Sequence, residues 1–196
     1  VSLKDNQVTV VLVLLPGEKA SAIDQASLVS YGATIEAVSR HLIRVRIPIF
    51  LLEEIADKVE GISYIRLPYR PFSDMVSEES RLNLSNFLKG RENSLQQISF
   101  GITSQGVDLT GASEYHNLGY KGQNTKVAII DVGFNGLTNS QKYGELPEPI
   151  ITKDFTETGL ETGRIHGTAV AEIVYDMTPE AKLYLCKVAD EVDLEN

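Results

Sequence analysis

The chain has 196 residues, 42% of them hydrophobic and 23% charged, which is the composition of a globular protein with room for one ordinary domain or two small ones. Wholly disordered and collagen-like chains are excluded on that basis. A net charge of -9 argues against a nucleic-acid partner, which calls for a basic face. The longest apolar run, Val10 to Leu15, falls far short of the roughly 20 residues that cross a bilayer, so no membrane partner is expected.

The same run does not read as a signal peptide. Asp5, Asn6 and Gln7 precede it, and Pro16-Gly17-Glu18-Lys19 follows where a small-residue cleavage site belongs. The acidity is uneven: the first hundred residues carry 11 Lys and Arg against 12 Asp and Glu, the remainder 7 against 15, which suggests two unlike segments. Cys186 is the one cysteine, so no internal disulfide forms, and its strand-like surroundings predict a buried, inert thiol.

The first 70 residues read as β-α-β-β-α-β. Val8 to Leu15 is β-branched and apolar almost throughout, as in a central strand. Glu18 to Tyr31 predicts a helix with Ala22, Ile23, Ala26 and Val29 on its apolar face and Gly32 as its left-handed cap. Thr34 to Val38 and Leu42 to Ile47 predict a hairpin. In its second arm Ile43, Val45 and Ile47 are buried, and Arg44 and Arg46 face water. Leu52, Ile55 and Val59 mark a second helix stopped by Gly61, and Ile62 to Leu67 closes the set. This order is that of the ferredoxin-like α+β fold, an antiparallel sheet with both helices on one face.

From about residue 71 to 100 the periodicity collapses, with only Leu82, Leu84, Phe87 and Leu88 able to form a short amphipathic turn, and the stretch reads as a polar linker. The segment 101–196 changes to α/β character. Leu109 to Leu118 predicts a short helix, Gly119 to Gly122 a turn, and Lys126 to Asp131 an apolar strand of a parallel sheet buried on both faces. An irregular Gly- and Pro-containing region follows. His166 to Met177 then predicts a helix facing the core through Val170, Ile173, Val174 and Met177, and Ala181 to Val188 a strand. Strand, helix and strand in this order point to a parallel crossover unit.

Functional groups in open parallel sheets collect at the carboxyl ends of strands, where Asp131 sits, and His166 opens a helix. A carboxylate beside a neutral imidazole is the orienting half of a general-base relay: it holds one ring nitrogen protonated while the other takes a proton from a nucleophile. Gly167, Ala169 and Ala171 are small enough to let the helix start lie against a neighbouring strand. Taken singly, an Asp ending a strand also serves as a turn or cap, and a His at a helix start as a surface residue. His41 and His116 read as structural. One Cys and three scattered His give no metal-ligand cluster, and no phosphate loop or dinucleotide fingerprint is present. The stretch Ile130-Asp-Val-Gly-Phe-Asn-Gly136 is only superficially like a nucleotide-binding turn, because no strand alternation follows it.

Three motifs, Val127-Ala-Ile-Ile-Asp-Val-Gly133, His166-Gly-Thr-Ala-Val-Ala171 and Thr178-Pro-Glu-Ala-Lys-Leu-Tyr-Leu-Cys-Lys-Val188, resemble in order and spacing the catalytic-Asp strand, catalytic-His helix and following strand of subtilisin-like serine proteases. The lead-in Gly119 to Val127 is similar to that family's approach to its first catalytic strand. The resemblance spans about residues 105 to 190. It implies a serine-type endopeptidase in which Asp131 orients the imidazole and His166 is the general base. It also implies that residues 1–70 are a propeptide that assists folding and then inhibits, that the parent acts on protein or peptide substrates, and that it resides outside the cell or in the cell envelope. Calcium is frequent in the family, but no site is assignable from this sequence, and no other cofactor is expected.

The sequence departs from the family at Val132, where Ser or Thr is usual, at Ala169, where a second His is common, and between the two motifs, including Pro147 to Pro149 and Thr156 to Gly163. No Gly-Thr-Ser nucleophile motif occurs before Asn196, so the chain holds two triad members at most and requires the remainder of the catalytic domain as its partner. The competing expectation is a non-catalytic module: a propeptide-like inhibitor, a folding assistant, or a pseudoprotease.

Overall fold

The computed structural model describes residues 6–69 and 103–196. By contact these form two units, 6–69 with 189–196, and 103–188. The expected linker at 71–100, with its turn at Leu82 to Leu88, lies outside the described residues.

In the first unit β1 (Gln7–Leu14), α1 (Gln25–Ser30), β2 (Thr34–Val38), β3 (Leu42–Pro48), α2 (Leu52–Lys58) and β4 (Ile62–Arg66) follow in the expected order. The strands form one antiparallel sheet in the order β2-β3-β1-β4. Alternation separates its faces. Val8, Val10, Leu12 and Leu14 of β1 lie on the same side as Ile43, Val45 and Ile47 of β3, and Leu28 of α1 and Ile55 of α2 close that core.

Two expectations are corrected here. The helix expected over residues 18–31 is a 3-10 turn, Ala20–Ala22, followed by α1 alone, because the Asp24 carboxylate accepts the Ser27 N–H at 3.1 Å and starts a new helix in mid-segment. Its buried side chains are Ala20, Ile23 and Leu28, and Val29 is exposed. The arginine face of β3 is not simply wet. The Arg44 side chain is only 12% exposed and pairs with Asp190 at 2.7 Å and Asp193 at 3.0 Å. Both acids belong to the 189–196 tail, whose short helix α7 (Glu191–Leu194) places Val192 in a second apolar cluster with Val11, Val13 and Leu42. Asp190 caps α7 by accepting the Val192 N–H, Arg66 bonds Glu191, and His41 lies 3.3 Å from Glu195.

The second unit begins with α3 (Gln105–Leu109) and α4 (Ala112–Asn117) where one helix over 109–118 was expected; Gly111, in the left-handed region at φ 76°, divides them. Then come β5 (Lys126–Asp131), α5 (Leu137–Lys142), β6 (Ile151–Asp154), α6 (His166–Met177) and β7 (Lys182–Lys187). The strands make a parallel sheet in the order β5-β7-β6. Both α5 and β6 fall where the sequence reads as irregular, since Ile-Thr-Lys-Asp offers no apolar alternation.

The core of this unit joins Ile129, Leu183 and Leu185 of the sheet to Phe134, Leu137, Leu146 and Ala171. The expected burial on both faces is corrected: Ile130 and Ile151, on the opposite side, are 52% and 42% exposed, and Cys186 there is half-buried rather than enclosed. The inward stripe of α6 is also rotated from expectation. Gly167, Thr168 and Ala171 are buried, Val170 and Val174 flank them, and Ile173 is 53% exposed.

Candidate active site

Asp131 is the last residue of β5, paired in register with Lys187 of β7, and its carbonyl accepts the Val188 N–H at 2.9 Å. The chain turns immediately afterwards, so the Val132 and Gly133 N–H groups reach back to Asp131 Oδ1 at 2.8 and 3.3 Å. The other oxygen, Oδ2, lies 2.6 Å from His166 Nδ1. One oxygen is therefore anchored to backbone and the other faces the imidazole. The Asp131 side chain is 10% exposed and the His166 side chain 40%.

Close backbone approach makes this contact possible. A Cβ on Gly133 would lie 2.4 Å from the Arg164 nitrogen and 2.7 Å from the Thr162 oxygen, closer than real side chains come. A Cβ on Gly167 would lie 2.6 Å from the Gly133 oxygen, the group that accepts the Gly167 N–H at 3.2 Å. The β5 exit and the α6 entrance are thus in direct backbone contact, which Thr168 reinforces by donating its hydroxyl to the Asn135 carbonyl at 3.1 Å. Of the three small residues expected at this junction, Gly167 and Ala171 face the packed side and Ala169 faces water.

Between β6 and α6 the chain folds around Asp154. Its carboxylate accepts the Thr156 N–H at 2.8 Å, the Thr156 hydroxyl at 2.7 Å and the Gly159 N–H at 2.7 Å. Burial pushes this carboxyl up, but those bonds together with the Lys187 charge hold it below the usual carboxylate range. Lys187 is 4% exposed and donates to the Thr158 hydroxyl at 2.7 Å, the Gly159 carbonyl at 2.6 Å and the Thr162 hydroxyl. Sequence reasoning missed this lysine. The available signal was parity, since Leu183, Leu185 and Lys187 alternate onto the same inward face.

The two expected site residues are brought together, and the two other histidines stand elsewhere. His41 lies beside Glu195, and His116 Nε2 donates to the Met177 carbonyl at 3.0 Å. Among the described residues no cluster of three or more His, Cys, Asp or Glu is arranged to hold a metal ion, and no helix is long and apolar enough to cross a membrane.

Chemically, a carboxylate at Nδ1 selects the tautomer with Nδ1–H donating, which leaves Nε2 as the basic nitrogen. If Nε2 takes a proton, the same carboxylate stabilises the imidazolium. The pair is thus arranged for proton abstraction from a group placed beside Nε2. A scan against protein-family models finds no match to this sequence, and no curated protein matches it.

Proposed function

We propose that this chain is the N-terminal portion of a subtilisin-like serine endopeptidase, in which Asp131 orients and His166 deprotonates a serine supplied from outside the chain. The observation that carries this reading is the 2.6 Å contact between Asp131 Oδ2 and His166 Nδ1, at the carboxyl end of a parallel strand and the start of a helix. In peptide hydrolysis the serine hydroxyl attacks the substrate carbonyl as its proton passes to Nε2, that proton goes to the leaving amine, and water deprotonated by the same nitrogen then cleaves the acyl-serine ester to release the acid and restore the serine. This mechanism also calls for an oxyanion donor, which the proposal likewise assigns to the remainder of the catalytic domain. The first unit is read as the propeptide. Its strand order β2-β3-β1-β4, with α1 and α2 packed on one face, supports the ferredoxin-like assignment. A propeptide in this position assists folding and inhibits the enzyme. Protein substrates, the rest of the catalytic domain as partner, an extracellular or envelope location and a calcium requirement belong to this proposal through the family resemblance alone.

The test extends the chain to the end of its reading frame and treats the product with a fluorophosphonate. The reading requires labelling of one serine in the extension, slowed about 10⁴- to 10⁶-fold in His166→Ala. An extended protein with no reactive serine overturns it in favour of the inhibitor, folding-assistant or pseudoprotease alternative.

A further inference from the structure

A buried ammonium ordinarily faces a carboxylate. Lys187 has one in Asp154, its in-register neighbour on β6 whose carboxyl its charge lowers, yet it spends its three N–H donors on three neutral loop oxygens, the Thr158 and Thr162 hydroxyls and the Gly159 carbonyl. An apolar side chain of similar volume would fill the same space without desolvating a charge, so filling the core does not explain it. What the lysine holds is informative. The 158–164 loop is in backbone contact with the residues that follow Asp131: the Leu160 carbonyl accepts the Phe134 N–H at 3.2 Å, the Arg164 carbonyl accepts the Asn135 N–H at 3.1 Å, and Thr162 and Arg164 press on Gly133. Two residues after Arg164 the same loop becomes His166. Lys187 itself pairs in register with Asp131, and the next residue, Val188, binds the Asp131 carbonyl. One side chain therefore joins the strand beside the aspartate to the loop that delivers the histidine.

We propose that Lys187 is a positioning residue for the Asp131–His166 pair, its ammonium stapling the 158–162 loop to β7 so that His166 Nδ1 stays within hydrogen-bond reach of Asp131. This rests on the protease reading above, because it gives the pair a task. It adds a residue that acts through the loop rather than on substrate.

The experiment uses the full 196-residue chain, ¹⁵N-labelled, and follows the His166 imidazole by its tautomer pattern and its low-field Nδ1–H proton resonance, with the amide spectrum and Tm as checks on folding. The wild-type chain is expected to show the Nδ1–H tautomer and the low-field resonance. Lys187→Met is expected to keep the amide pattern of the sheet and lose both signatures. Thr158→Val with Thr162→Val removes two of the three acceptors at exposed positions and is expected to lose them likewise, so it decides the matter should Lys187→Met not fold. A folded variant of either kind with unchanged imidazole signals overturns the positioning role alone. A wild-type chain lacking the Nδ1–H tautomer overturns the Asp131–His166 pairing, and the positioning role falls with it. In the extended enzyme of the protease reading, Lys187→Met is expected to lower kcat about 100-fold at unchanged KM, the penalty for misplacing a reacting group by about 1 Å.

Discussion

A carboxylate with one oxygen tied to two backbone N–H groups has little freedom to turn, and at Asp131 that restriction directs Oδ2 at the imidazole. Replacing Asp131 by Asn keeps the size of the side chain but offers an amide that can donate as well as accept, so the Nδ1–H tautomer is no longer selected. The expected result is a shift of His166 toward the Nε2–H tautomer in ¹⁵N spectra of the chain and, under the protease proposal, a fall of about 10⁴ in kcat of the extended protein. Gly133→Ala tests the backbone contact underneath. Its new methyl would meet the Arg164 nitrogen and Thr162 oxygen, backbone atoms that cannot swing aside, so a destabilisation of about 1–3 kcal/mol is expected in chemical denaturation. Loss of the His166 signature should accompany it. Gly167→Ala should behave alike, since its methyl would meet the Gly133 carbonyl and the Phe134 ring.

Among the elements, α6 carries both the imidazole at its start and a half-buried acid on its flank. Burial pushes the Glu172 carboxyl up, the Ser140 hydroxyl bonded to it at 2.5 Å offsets part of that, and Glu145 and Asp176 add to the rise. A carboxyl that holds its proton more tightly in the folded state favours folding below the unfolded value, near pH 4.5, and that contribution is lost as pH climbs through the folded value. Ionised Glu172 is thus a burden at neutral pH. Glu172→Gln keeps an acceptor for Ser140 and removes the charge, so its Tm should exceed the wild type's at pH 7 and converge with it at about pH 4 and below. Thermal melts at the two values check this, and an equal gain at both would assign the effect to packing instead.

The same helix shows what its sequence does and does not reveal. Spacing locates α6 and its first residue, and Val170 and Val174 of the expected stripe do flank the core, yet Ile173 points to water, because approach to the β5 exit is governed by Gly167 and Ala171, whose smallness a hydrophobic pattern does not weigh. Asp131 and His166 were legible because a motif surrounds each. Lys187, Asp154 and the threonine-lined loop were not, since a buried polar network is built from residues that each read as solvent-exposed when taken alone. In the first unit every strand lies where its apolar residues predict it, while the two failures, the break at Asp24 and the burial of Arg44, turned on a single side-chain cap and on acids distant in the chain.

Across the whole molecule, the feature furthest from sequence reasoning is the return of residues 189–196 to the first unit. No local pattern announces it, because it depends on the partnership of Arg44 with Asp190 and Asp193 across more than 140 positions, and on one valine, Val192, buried against Val11, Val13 and Leu42. Covering Val192 contributes about 1.5–3 kcal/mol. The ion pairs contribute less than their distances suggest, because Asp193 and Arg44 both lose water. Burial pushes the Asp193 carboxyl up, against the Ala189 N–H bond and the Arg44 charge. Removing Arg44 alone is therefore harsher than removing the whole contact, since two carboxylates remain without their cation, except that the tail can then detach and regain water. That escape caps the cost of Arg44→Met at the docking free energy of the tail. A chain ended at Val188 and the Arg44→Met chain should accordingly lose similar stability in the first unit, about 2–4 kcal/mol by denaturant titration. Hydrogen exchange at residues 191–195 should rise to the unprotected rate in Arg44→Met. Combining the two changes should cost scarcely more than the deletion, because Arg44 has no task once the acids are gone. Additive losses in that cycle would show that Arg44 stabilises the sheet through Glu36, which lies 3.7 Å away, and not through the tail.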